Sequence, residues 1–301
     1  MDLLLWTDVP LPLETVRLAA ALAGTAIGAY YDVWNNKNVP NTFLYGFLAI
    51  AFLVNLAAYD PVTTPYGIAA GAVIFAATWL LYKGGQLGGA DVFILSSIAV
   101  LLPVQPSALL LVPPSLAPSL PFILSVIIAS GLSFMLYMFV RSLPVALRAV
   151  QKPGMIGATQ WVAGVVILAA YGIFATLAAQ SGLMGPGYFA LLTAVVAATL
   201  YFTLFKNALN DSMVEMVPLS KVEEEDILAL DKADPALVKK YGLSRLVDAA
   251  ALSRLKGYKG KLPVYKKLPA FLPHLLIGLL VSVLLGNIVL YFSGSPGALV
   301  F

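Results

Sequence analysis

Residues 65–82 read PYGIAAGAVIFAATWLLY, eighteen positions without a charge. Lys83 and the turn Gly84-Gly85-Gln86-Leu87-Gly88-Gly89-Ala90 follow, then Asp91 and a second apolar block over 92–112. A hydrocarbon core asks for about 20 apolar residues per helix, so this stretch reads as a membrane hairpin: helix, basic glycine-rich turn, helix. The same window moved outward finds blocks near 14–32, 42–58, 65–82, 91–112, 119–140, 158–180, 187–206 and 269–292. Pro103 and Pro106 interrupt the fourth and are expected to end its helix early.

The composition agrees. The 301 residues are 60% hydrophobic and 11% charged, whereas soluble domains are charged at about a quarter of positions; a water-soluble globule is excluded. Long apolar blocks, not short alternating runs, also disfavour an outer-membrane barrel. The absence of cysteine excludes disulfides, thiol catalysis and thiolate metal sites. A single histidine, His274, argues against a histidine triad or a multi-histidine metal centre. No cofactor, metal or nucleic-acid partner is expected. The leading segment carries Asp2, Asp8 and Glu14, unlike the basic start of a cleaved signal.

Lysine and arginine assign the sides. Segments after blocks one, three, five and seven hold Lys37; Lys83; Arg141, Arg148 and Lys152; and a run from Lys206 to Lys267. Segments after the other blocks hold none. Seventeen of the eighteen basic residues thus fall on one side, which the positive-inside rule makes cytoplasmic. Arg17 is the exception, expected to pair with Glu14 one turn earlier or to snorkel outward. The expected fold is all-α: a polytopic, multi-pass plasma-membrane protein of about eight spans with both termini outside. Helices one to seven occupy 1–206, a small cytoplasmic subdomain 207–267, and the last helix with an outer tail 268–301. In the subdomain, Ser244 is expected to cap a short helix reaching Leu255. No internal repeat of the kind common in transporters is visible.

Asp32 ends the first block and Asp91 opens the fourth, 59 positions apart. The first block runs inward and the fourth starts inside, so topology brings both carboxylates to the cytoplasmic edge of the bilayer. Acidic groups at membrane depth are costly and suggest function by default. The plainer reading is that each simply ends a helix at headgroup level. Gly88, Gly89 and Ala90 remove side-chain bulk beside Asp91, which would let an extended peptide approach; alternatively they form an ordinary helix-start loop.

Gly88-Gly89-Ala90-Asp91 resembles the Gly-x-Gly-Asp signature of membrane aspartyl proteases, with Ala90 in place of the second glycine. The stretch from Asp32 through Lys37-Asn38-Val39-Pro40-Asn41 is similar to the end of the first helix in type IV prepilin and archaeal preflagellin (prearchaellin) peptidases. Leu268-Pro269-Ala270-Phe271-Leu272-Pro273-His274, running into Gly286-Asn287, looks like the last helix of the archaeal branch. The segment around Glu224-Glu225-Asp226-Ile227-Leu228 does so too. The resemblance covers both aspartate regions and the final hundred residues, and 105–205 only loosely. The four-cysteine zinc motif of the bacterial enzymes is missing, and the chain has about two more helices than the compact preflagellin enzymes.

The resemblance implies an aspartyl endopeptidase that removes a short basic leader from type IV pilin-like or archaellin precursors at the cytoplasmic face of the lipid bilayer. Asp32 and Asp91 would be catalytic, and Gly88, Gly89, Ala90 and Lys37 would contact the substrate. Two carboxylates sharing a site cannot both ionise cheaply; the ionised one activates water and the protonated one polarises the scissile carbonyl. Helix dipoles would favour Asp91 as base and Asp32 as acid. The run Glu223-Glu224-Glu225-Asp226 either attracts a basic leader or is a solvated surface. His274 is expected to anchor the interface, and Asn55 and Asn287 to bond across helices. Presenilin-like intramembrane proteolysis is one alternative, since Tyr31-Asp32 matches its Tyr-Asp motif, but Asp32 lies on the first helix. Asp234-Pro235-Ala236-Leu237 holds the letters of its Pro-Ala-Leu motif in a polar context. A proton-coupled transporter using the same two aspartates is the other.

Overall fold

The computed structural model describes residues 11–35, 37–111, 121–151, 156–181, 185–258, 260–286 and 288. Asp2, Asp8, Asn36, Lys152, Asn287 and the tail beyond 288 lie outside the described residues. Each apolar block carries a helix. These are α1 (Glu14–Trp34), α2 (Asn41–Ala57), α3 (Thr63–Lys83), α4 (Gly89–Leu101), α5 (Phe122–Val150), α6 (Ala158–Ser181), α7 (Pro186–Met213) and α10 (Leu272–Leu285). Of these, α3, α5, α6 and α7 are long and apolar enough to cross a membrane, while α2, α4 and α10 are apolar but shorter.

Two helix ends differ from the apolar blocks. The fourth block stops being helical at Leu101, because Pro103 has no N–H for the carbonyl one turn back. At 13 residues, α4 is about 20 Å long, against about 30 Å of hydrocarbon. The fifth helix instead continues through Pro144 to Val150, so Arg141 and Arg148 ride on its last turns and not in a loop.

The helix α4 packs against α1, α2 and α3; α10 lies against both α1 and α5; α7 packs on α5, and α6 on α7. One apolar core joins Leu18 and Ala29 of α1, Phe47 of α2, Ile94 and Ile98 of α4, Phe122 and Val126 of α5, and Leu275 and Leu279 of α10. The α10–α5 approach is close enough that a Cβ on Gly278 would stand 2.5 Å from the Ser130 backbone nitrogen.

Arg17 neither pairs with Glu14 nor snorkels. It is fully buried, and its guanidinium donates to Asn55 Oδ1 (2.8 Å) and to the carbonyls of Pro12 (2.8 Å), Leu101 (3.1 Å) and Ala58 (3.4 Å). The last carbonyls of a helix lack intrahelical partners and favour a cation; here one side chain serves the ends of both α2 and α4. Glu14 turns to another loop, accepting from Ser107 Oγ (3.1 Å) and the Ala108 N–H (2.5 Å). Asn55 bonds across helices as its sequence suggested, donating its other amide group to the Thr64 carbonyl (3.2 Å).

The polar stretch before α10 is not purely helical. Strands β1 (Glu215–Pro218) and β2 (Lys261–Val264) pair antiparallel, and the short helices α8 (Pro235–Tyr241) and α9 (Ala249–Arg254) add residues to the same apolar cluster. Its own core includes Val217, Leu228, Val247, Leu255, Leu262 and Val264. The expected cap is replaced: Asp248, not Ser244, opens α9 by accepting the Ala251 N–H at 2.6 Å. The Ser244 hydroxyl donates to the Leu246 carbonyl instead.

Candidate active site

Asp32 sits two residues before the end of α1, and its Oδ2 accepts the backbone N–H of Leu272, the first residue of α10, at 2.9 Å. Asp91 is the third residue of α4, and its Oδ2 turns back to accept the Gly88 N–H at 3.0 Å. Both residues are buried, 9% and 6% exposed, and the two carboxylates interact electrostatically. Their helices close on one another where Gly28, one turn before Asp32, meets the side chain of Ile94, one turn after Asp91. Two residues remote in the chain thus share one end of the bundle.

The expected dipole asymmetry between them is not found. Asp32 ends its own helix, but its carboxylate reaches the N-terminus of α10, where backbone N–H groups favour negative charge as they do for Asp91. Each aspartate therefore receives a helix-start N–H, and the dipole argument assigns neither of them the acid or the base. Local sequence carried the missing signal: Pro273 at the second position of α10 marks a helix start.

The small residues have distinct surroundings. A Cβ on Gly88 would lie 3.1 Å from Asp91 Oδ2, so the missing side chain makes room for the carboxylate to fold back. Gly89 faces the Tyr82 ring and the Glu225 carboxylate. Ala90 packs on the apolar core. Lys37 is exposed, with φ +66°; its ammonium feels the charges of Asp32 and Asp226 on one hand and of Arg141 and Lys266 on the other.

Residues of the polar stretch complete this end of the molecule; the sequence singled out the acidic run, but not the partners of Glu225 and Asp226, nor Arg245. Tyr82 Oη donates to Glu225 Oε1 at 2.9 Å, and Glu225 itself holds a left-handed φ of +69°. The Arg245 side chain lies over Gly85, which has φ +63°. The acidic run divides: Asp226 is paired with Lys266 (2.7 Å), whereas Glu223 and Glu224 face solvent. His274 is turned into the protein. It is buried, its Nδ1 3.0 Å from Ser133 Oγ, between the Phe134 and Tyr137 rings of α5.

The model of the type IV leader peptidase family matches residues 19–139, a range holding Asp32, Asp91 and the helices from most of α1 into α5. No curated protein and no solved structure matches the chain significantly. The family match supports a leader peptidase, and so a protease, whose substrates are pilin-type precursors in general. With the four long apolar helices it also supports a membrane protein.

Proposed function

Since the model of the type IV leader peptidase family matches residues 19–139, we propose that this protein is an aspartyl endopeptidase with Asp32 and Asp91 as its catalytic pair. The observation that carries the reading is that two buried carboxylates, from α1 and α4, interact electrostatically at one end of the bundle, each held by a helix-start N–H. In such a pair one carboxylate ionises and takes a proton from water, while the other, protonated, polarises the scissile carbonyl. The pair titrates as a unit.

The substrate is a type IV pilin-like or archaellin precursor, cut between a short basic leader and its apolar helix. Gly88, Gly89 and Ala90 line the approach of the extended segment, and Lys37 stands at the entrance. The eight apolar helices lie in the plasma membrane with both termini outside. Residues 207–267 and the aspartate end of the bundle then face the cytoplasm. The basic residues Lys37, Arg141, Lys266 and Lys267 gathered at that end support this orientation.

Reconstitution with a pilin-like precursor tests the reading. Wild type is expected to release the leader, and Asp32→Asn and Asp91→Asn each to lower kcat by at least about a thousandfold, the scale lost when a group essential to the chemistry is removed. Cleavage surviving either substitution sinks the assignment; a proton flux lost in both, without cleavage in wild type, moves the pair to transport.

A further inference from the structure

Arg17 carries an inference beyond the catalytic pair, and rests on the reading just proposed only for its consequence in catalysis. The helices α1 and α4 are antiparallel neighbours. At one end α1 offers Asp32 and α4 offers Asp91; at the other, α1 offers Arg17 and α4 offers the Leu101 carbonyl, 3.1 Å away. The 13-residue α4 is too short for its ends to be held by the two faces of a bilayer, so protein contacts must fix its depth. Its body presents an apolar surface to α1, which resists sliding only through the fit of side chains. The guanidinium is different: it is fully buried, and it ties α4 and α2 to α1 through directional bonds to Leu101, Asn55 and Ala58.

We propose that Arg17 is a positioning residue that sets the axial depth of α4 against α1, and thereby the alignment of Asp32 with Asp91. A slip of one residue along a helix moves a side chain by about 1.5 Å, and a misplacement near 1 Å costs about a hundredfold in rate where reacting groups must be held in line. Lysine is a poor substitute, because a single ammonium cannot reach the planar spread of acceptors that a guanidinium serves.

The test uses the absence of cysteine from the chain. The double variant Asp32→Cys/Asp91→Cys reports the alignment directly, through its rate of disulfide formation under mild oxidation, with no need for activity. Adding Arg17→Lys is expected to change that rate by about fivefold or more; in the otherwise native enzyme, the same substitution is expected to lower kcat about a hundredfold while KM stays within about threefold. Asn55→Leu, which removes one acceptor and leaves Arg17 in place, is expected to act in the same direction more weakly. If Arg17→Lys does not fold, the Asn55→Leu background supplies the same two readouts and decides the matter alone. Unchanged disulfide rates overturn the proposal, as does a loss of rate lying wholly in KM. A wild type that cuts no precursor, with disulfide rates that still depend on Arg17, fails the protease reading and leaves the positioning role standing.

Discussion

At the scale of single residues, the candidate site is a matter of where carboxylates find hydrogen. Asp91 takes the Gly88 N–H and Asp32 the Leu272 N–H, so each is fixed by backbone and neither depends on a flexible side chain. This makes Gly88 the sensitive neighbour. Its φ of −75° suits any residue, but a methyl group there would crowd Asp91 Oδ2 at 3.1 Å. Gly88→Ala is therefore expected to lower kcat by about tenfold with the fold intact, measured as cleavage rate against an unchanged melting curve; a kcat equal to wild type would show that the carboxylate has room to spare.

Among elements, close packing and capping set the geometry. The α10 N-terminus serves Asp32 only while α10 is seated on α5, and Gly278 permits that seating. A methyl at Gly278 meets Ser130 backbone, which cannot yield as a side-chain tip can. Gly278→Ala is expected to destabilise the protein by about 1–3 kcal/mol, read as a lower denaturation midpoint in detergent; no shift would mean the two helices part without cost. The start of α3 is held by Asp60, whose carboxylate accepts the Thr63 N–H (2.7 Å) and the Val62 N–H (3.0 Å). Those bonds, Thr63 first and Val62 next, hold its carboxyl below the ordinary range. Because the folded pKa is the lower one, this stabilisation is present above the unfolded carboxyl pKa, about 3.9, and is lost as pH falls through the folded value. Asp60→Asn is expected to flatten the acid side of the stability curve, and a curve parallel to wild type would count against the cap.

For the whole molecule, the two sides of the chain's length are joined at the glycine-rich turn. The polar stretch docks there through Tyr82 and Glu225 and through Arg245 over Gly85. Tyr82→Phe is expected to raise hydrogen exchange of residues 84–88 by about five- to tenfold, the effect of losing roughly 1 kcal/mol from the docked state; exchange equal to wild type would show that the contact does not hold the turn. Farther out, α6 presents Val162, Val165, Val166 and Leu177, each more than 60% exposed. So large an apolar surface is incompatible with free solution, and the protein is expected to stay with membranes through alkaline washing and to leave them only in detergent.

Much of this was legible in the amino-acid order. Apolar blocks fall where helices form because hydrophobic length is a property of consecutive residues, and Pro103 ends α4 because the missing N–H is local chemistry. That Asp32 and Asp91 would lie at one end of the bundle was expected from the alternation of basic segments, and the two carboxylates do interact there. Arg17 was misread, since its partners Asn55 and Ala58 at the end of α2 and Leu101 at the end of α4 come from two segments remote from α1 and no spacing records them. The same holds for the N–H that Leu272 gives Asp32 across 240 positions, for the sheet that closes the polar stretch, and for His274 turned into α5. Covalent neighbours decide what a segment can become. Which buried polar group meets which is settled only when packing brings distant segments within hydrogen-bond reach.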